Sequence, residues 1–302
     1  IKKGYAPPFA AATAAAAGTL GVIIPPSIPM ITYGVVAGVS IGDIFIAGIV
    51  PGLLLAIVLC VCASVMAAVM KVPTEGAFQI RELGAAFFDA ILALFMPGII
   101  LGGIYGGFFT PTEAGAVAVA YSLLISFLVY REMDLQKMKT IIINAGVSTA
   151  IVFFVIACSQ SFAWLLNVGK VSEAIVNTML SISSNPFILV VMRNLMLLFL
   201  GVFLETQAII LLVTPILLPI AKMIGMDPIV LGIIIIANTS LGMITPPMAV
   251  NLFVAQGLVR VHKVTLEQIS KYIVPFFIVE LALVLVLSYV PVLSLGLLEL
   301  LK

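Results

Sequence analysis

Two stretches carry the residues that could do chemistry. They are Ser240-Leu-Gly-Met-Ile-Thr-Pro-Pro247 and, 221 positions earlier, Thr19-Leu-Gly-Val-Ile-Ile-Pro-Pro26. Around the second, Asn238, Thr239, Ser240 and Thr245 offer neutral oxygens beside the flexible Gly242; around the first, Gly18, Thr19, Gly21 and Ser27 do the same. A Pro-Pro pair cannot continue a regular helix, because it removes two amide donors and its rings clash with the preceding turn. Carbonyls freed in an apolar setting cost on the order of several kcal/mol each unless protein, water or an ion satisfies them. Carbonyls and hydroxyls suit a hard cation such as Na+, and the N-terminus of the half-helix beyond the break suits a carboxylate. Neither stretch contains an Asp, Glu or His, so sodium is expected there in preference to a proton. Ser27, Pro246, Pro247 and Asn251 are the candidate substrate contacts. Asn251, one turn beyond the second Pro-Pro, either donates to a polar ligand or bridges helices. One break alone would read as an ordinary proline kink, but two that share an eight-residue pattern point to a transporter's binding site.

The elements that must position these residues are membrane helices. The chain of 302 residues is 63% hydrophobic and 9% charged, whereas charged residues make up about a quarter of a soluble domain. At roughly 20 residues per span, the length allows about eight crossings or re-entrant segments. A net charge of +1 gives no reason to expect nucleic acid. Cys60, Cys62 and Cys158 fall in apolar runs and read as small buried hydrophobes, and the lone His262 lies in a charged connector. No Walker loop, His-Glu-x-x-His or Gly-x-Ser-x-Gly occurs, so neither ATP hydrolysis nor proteolysis has residues to support it, and no enzyme activity is expected.

In chain order, residues 1–70 hold the first broken crossing, 8–37, and a long crossing to about Met70. Ile1–Tyr5 reads as a loop between membrane elements, so an N-terminal portion is expected before it. Residues 71–140 hold an amphipathic stretch at 72–88, carrying Glu75, Arg81 and Glu82 among Phe78, Leu83, Phe87 and Phe88, which reads as an interfacial helix or a plain connector. Two crossings come next, separated by Thr110-Pro-Thr-Glu113, where Thr112 could cap the second helix. Residues 141–302 hold a crossing at 141–167 and a re-entrant hairpin at about 186–221 whose tip is Leu204-Glu-Thr-Gln207. The second broken helix, 228–258, and a final crossing at about 272–299 complete the chain.

Charge placement agrees with this layout. Lys2, Lys3, Lys71, Arg81, Arg131, Lys137, Lys139, Arg260, Lys263 and Lys271 fall on one side; Lys170, Lys222 and Lys302 fall on the other. The basic side is cytoplasmic by the positive-inside rule. The two Pro-Pro helices are then entered from opposite faces, which makes the halves inverted repeats. Arg193 and Glu205, both in the hairpin, either pair with each other or serve the site; Glu280 in the last crossing is equally open to two readings.

Four segments in order, Gly18–Ile28, Gly106–Ala114, Gly201–Glu205 and Gly242–Pro247 with Asn251–Val254, resemble the large membrane subunit of TRAP transporters, the tripartite ATP-independent periplasmic carriers. That resemblance covers essentially the whole chain. It implies an all-α polytopic fold with inverted repeats, broken helices and a re-entrant hairpin working as an elevator. It also implies Na+ coupling, a small four-helix membrane partner, a periplasmic substrate-binding protein, an organic acid substrate such as sialic acid or a C4-dicarboxylate, and a bacterial inner-membrane location. By the family pattern one sodium site joins Gly201, Glu205 and Thr206 at the hairpin tip to the second break. The other joins the first break to an earlier hairpin, for which no Ser-Gly-Ser-Ser-like tip stands before residue 18. Ala249-Val250 departs from the Gly-Leu often found before the Asn. A binding-protein-independent sodium/anion symporter of the same superfamily is the alternative, although it should lack the Thr-Pro-Thr-Glu motif.

Overall fold

A computed structural model of the chain describes residues 1, 4–72, 79–170, 174, 177–178, 181–183, 185–247 and 249–301. Lys2, Lys3, Glu75, Phe78 and Lys302, named above, lie outside the described residues, which are helical throughout apart from turns and connectors. They form two compact units, one of Ile1–Thr74 with Ser159–Lys302 and one of Glu75–Cys158.

The first unit is built around the two broken helices. The first comprises α1 (Pro7–Gly18), the single turn α2 (Leu20–Ile23) and α3 (Ile28–Ala37); the second comprises α10 (Pro228–Gly242) and α11 (Val250–Leu258). Each ends its first half just before the Pro-Pro pair, as two missing amides require. The Pro25–Pro26 and Pro246–Pro247 peptide bonds are both cis. Helix α1 packs against α11, and α3 packs against α10. The start of each broken helix thus lies beside the end of the other, so the two run antiparallel. Two hydrogen bonds fix that pairing. Tyr33 Oη donates to Pro228 O at the outer end of α10, and Asn251 Nδ2 donates to Ala15 O at 3.1 Å near the breaks. The two breaks therefore sit at one level.

Helix α10 is the core. Every residue from Ile229 to Gly242 is buried, as an all-round apolar helix demands. Gly232 lets the Tyr33 ring lie against it, since a Cβ there would meet Tyr33 Cε1 at 2.4 Å. The long α4 (Ile41–Val69) packs on α10 from one side, together with α12 (Leu266–Tyr289) and α13 (Val292–Leu301). The final crossing is therefore two helices, not one. Pro291 cannot donate, and Val290 before it leaves the helical region at φ −122° and ψ 75°.

The hairpin consists of α8 (Pro186–Phe203) and α9 (Thr206–Met223), joined by Leu204 and Glu205 alone. Both arms pack on α10, and α9 also packs on α3. The join falls at Leu204-Glu-Thr-Gln207, where the sequence placed it.

In the second unit, α5 (Ile80–Tyr105) and α6 (Pro111–Leu124, closing in a π turn Ile125–Val129) form an antiparallel pair. Residues 80–88 run into the crossing as one continuous helix, so no separate helix ends near 88. Tyr121 Oη donates to Leu92 O at 2.8 Å across the pair. The cap of α6 is Thr110, not Thr112. Pro111 occupies the first helical position, so the cap must precede it, and Glu113 completes the reciprocal capping box. Helix α7 (Leu135–Val168) joins the charged stretch after Arg131 to the next crossing in one helix, within which the division between the units falls. Among the described residues, five helices or broken helices are long and apolar enough to cross a membrane: Pro7–Ala37, Ile41–Val69, Ile80–Tyr105, Pro111–Val129 and Leu266–Tyr289.

Candidate functional site

The second break gathers the hairpin tip and α10. A Cβ on Gly242 would stand 2.1 Å from Gly201 O and 2.8 Å from Gly201 Cα, so the two backbones touch with no room for a side chain. The carbonyl of Asn238 belongs to the same junction, 3.7 Å from where a Cβ on Gly201 would be. Thr206, the first residue of α9, is buried beside the tip. Glu205 faces outward and caps α9, its Oε2 accepting from Gln207 N at 2.9 Å. Gly201 and Gly242 are thus brought into contact. Glu205 serves the turn that holds the tip.

The hydroxyls of the break all donate backwards along their own helix. Thr239 Oγ1 donates to Ile236 O at 3.0 Å, Ser240 Oγ to Ala237 O at 2.8 Å and Thr245 Oγ1 to Leu241 O at 2.6 Å. Each hydroxyl proton is thereby committed, which leaves the oxygen lone pairs as acceptors for a cation. Asn238 Nδ2 donates to Ile234 O at 2.9 Å, while its Oδ1 is buried without a partner among the described residues. A buried acceptor without a donor is what a hard cation would satisfy. The donor set fits sodium. Pro246 and Pro247 lie exposed at the surface of the break.

The first break repeats this arrangement in register. Thr19 Oγ1 donates to Ala16 O at 2.7 Å, three residues back, as Ser240 does to Ala237. Ser27 is buried, and its hydroxyl closes the break on itself by donating to Val22 O at 2.6 Å. Gly18 lies against the Asn251 amide, whose Nδ2 would be 2.7 Å from a Cβ there. Asn251 therefore bridges α11 to α1, the second of the two roles open to it. It takes the Ala15 carbonyl, which the tightened last turn of α1 leaves without its usual donor, since Thr19 N bonds Ala16 O. Gly21, the counterpart of Gly242, has no atom within 4 Å of its Cβ position.

Two expectations change. Arg193 and Glu205 do not pair. They are separated by twelve residues of largely helical chain, roughly 18 Å. Arg193, 6% exposed, instead donates from Nε and Nη2 to Asn194 Oδ1 at 3.2 and 3.0 Å and approaches Met226 Sδ. Nor is the first break without a carboxylate. Glu280 of α12 is buried, and its Oε1 lies 3.0 Å from Thr19 Oγ1. Their separation of 261 residues hid this contact from the sequence, whose one signal was an ionisable residue inside an apolar run. Of the cysteines only Cys62 is buried; Cys60 and Cys158 lie on exposed helix faces.

An all-helical protein with several helices apolar enough to cross a membrane, two antiparallel broken helices and a helical hairpin packed on one of them has the make-up of a polytopic membrane protein. The chain belongs to the family of the Tripartite ATP-independent periplasmic transporter, DctM component, whose model matches residues 1–293. It is 39% identical to the C4-dicarboxylate TRAP transporter large permease protein DctM of Pseudomonas aeruginosa over 98% of this chain and 69% of that protein. It is 39% identical to the isethionate TRAP transporter permease protein DctMQ of Oleidesulfovibrio alaskensis over 96% of this chain and 46% of that protein. It is 38% identical to the sialic acid TRAP transporter large permease protein SiaM of Vibrio cholerae, covering 93% of this chain and 66% of the relative. The chain thus spans about two thirds of the separate large permeases it matches and less than half of DctMQ. It is a component of an inner-membrane transporter, not an enzyme.

Proposed function

We propose that this subunit carries an organic acid across the inner membrane, driven by sodium and moving as an elevator. Substrate reaches it from a periplasmic binding protein, and a small four-helix membrane subunit accompanies it. The observation that carries the sodium reading is the junction at the second break. There the Gly201 backbone meets Gly242 and lies near the Asn238 carbonyl, Asn238 Oδ1 has no partner among the described residues, and the Thr239 and Ser240 hydroxyls keep lone pairs available. Thr239, Ser240, Gly242, Thr245 and Thr206 complete that sodium site in this reading, with Glu205 holding the tip. Gly18, Thr19 and Gly21 contribute to a second sodium site at the first break. Substrate sits against Ser27, Pro246 and Pro247, its carboxylate toward the half-helix N-termini, with Asn251 holding α11 to α1 beside it. Relatives named for C4-dicarboxylates, isethionate and sialic acid support an organic acid, without choosing among them.

Reconstituting the full-length complex in liposomes tests the coupling. Uptake should require an inward sodium gradient and the binding protein. Equal uptake from a proton gradient in rigorously sodium-free buffer would refute sodium coupling. Robust uptake of free substrate without the binding protein would favour the simpler symporter.

A further inference from the structure

Arg193 is a buried cation for which neither the breaks nor the hairpin tip has a use. It stands in α8, about 10 Å along the helix from Pro186, and is 6% exposed. Its immediate partners are neutral. Nε and Nη2 donate to Asn194 Oδ1 at 3.2 and 3.0 Å, and Nη1 reaches Met226 Sδ at 3.3 Å. Asn194 in turn donates from Nδ2 to Ser288 Oγ of α12 at 2.8 Å, and Ser288 donates to Val284 O at 2.8 Å. That relay runs away from the guanidinium and brings it no negative charge.

The surrounding elements bring none either. Among the described residues no ion pair joins Arg193 to an acid. Helix α10, on which α8 packs, has no ionisable side chain, and α9 has Lys222 alone. Asp227, next to Met226, caps α10, its Oδ1 accepting from Ile229 N at 2.7 Å. On α12 the Tyr289 phenol is in electrostatic reach, but its hydroxyl donates to Phe187 O at 2.9 Å. Glu280 lies roughly 12 Å along α12 from Ser288 and touches Thr19. A charge buried without a partner is strongly destabilising. The guanidinium is thus open to an anion.

The free donors define what fits. Of the five N–H groups on a guanidinium, three are engaged, which leaves one on Nη1 and one on Nη2. Such a pair grips two oxygens of one anion, as a carboxylate or a phosphate presents them. Asn194 fixes the plane of the group beforehand. Met226 is half-buried in a turn whose other residues, Ile224, Gly225 and Asp227, are exposed, so the way in leads past a flexible thioether. We propose that Nη1 and Nη2 of Arg193 form an oxyanion site in the half of the hairpin away from its tip, taking a carboxylate or phosphate that enters beside Met226. The anion neutralises the guanidinium and steadies the link from α8 through Asn194 to Ser288 of α12, without touching either break.

Melting of the purified, delipidated full-length complex in a maltoside detergent, at constant sodium and ionic strength, tests the site. Replacing chloride by acetate or by inorganic phosphate should raise the melting temperature of wild type by a few degrees. Arg193→Met removes the charge and keeps the bulk. It should melt no lower than wild type in chloride, and its response to acetate and phosphate should vanish. Arg193→Lys keeps a charge without the fork and should respond to chloride and acetate alike. Phosphatidylglycerol added to the micelles separates the two sources. Protection by the lipid that Arg193→Met abolishes identifies a headgroup phosphate, whereas protection by acetate and none by the lipid identifies a soluble organic acid. Equal melting of wild type in all three salts and in the lipid overturns the proposal. So does a steep loss of stability of Arg193→Met in chloride, which would show that an acid of the chain already pairs with Arg193. Neither result bears on sodium coupling, because sodium is held constant.

Discussion

Replacing Gly242 by alanine tests whether the hairpin tip and the second break form one site. The new Cβ would stand 2.1 Å from Gly201 O, 2.5 Å from Gly201 C and 2.8 Å from Gly201 Cα, all backbone atoms that no rotamer change can move. Ordinary contact begins at 3.4 Å, so the hairpin and α10 must separate by 3.4 − 2.1 = 1.3 Å along that line. A binding constellation tolerates only about 0.5 Å. Overpacking of this kind costs about 1–3 kcal/mol. If the cost falls on the sodium-bound form, affinity drops roughly 5- to 150-fold. The half-saturating sodium concentration for uptake should rise accordingly, and sodium should no longer raise the melting temperature of the purified complex. Gly98→Ala is the control, because nothing lies within 4 Å of its Cβ position and alanine is favoured over glycine in a helix interior by up to about 1 kcal/mol. A well-folded Gly242→Ala with a wild-type sodium response would refute the argument that these backbones build the site.

Thr245→Ala deletes the donor to Leu241 O and one acceptor at the break. A loss of about 1 kcal/mol should raise the half-saturating sodium concentration several-fold, with melting near wild type in sodium-free buffer. Asn251→Ala removes the bridge to Ala15 O and leaves that carbonyl without its donor, at a cost of about 1–3 kcal/mol. Melting temperature should fall even without substrate, whereas a loss of substrate affinity at unchanged stability would mean that Asn251 is a ligand and not a bridge.

The broken helices were legible in the sequence because proline acts locally: the missing amides at Pro25, Pro26, Pro246 and Pro247 end a helix whatever surrounds it. The hairpin was legible for a related reason, since Leu204-Glu205 interrupts two apolar runs and Glu205 can cap the second of them. The cap at Thr110 was equally local, and assigning it to Thr112 overlooked that a cap must precede Pro111. Contacts between distant segments were not legible. Nothing near Gly201 announces that it will touch Gly242, and nothing near Thr19 announces Glu280. The Arg193–Glu205 pairing failed because opposite charges in one hairpin were matched without counting the rise of the helix between them.

The two breaks share one construction and differ in what completes it. Thr19 and Ser240, in register, each turn a hydroxyl back to the carbonyl three residues earlier, at 2.7 and 2.8 Å. That bond fixes the hydroxyl's orientation and leaves its lone pairs facing away from its own helix. At Ser240 the neighbourhood is completed by backbone: Gly201 against Gly242, with a neutral amide oxygen at Asn238. At Thr19 it is completed by a carboxyl from α12, while Gly21 stays uncovered. Repeats alike in backbone are thus completed by different partners, and at the first break that partner is Glu280, which belongs to neither Pro-Pro motif.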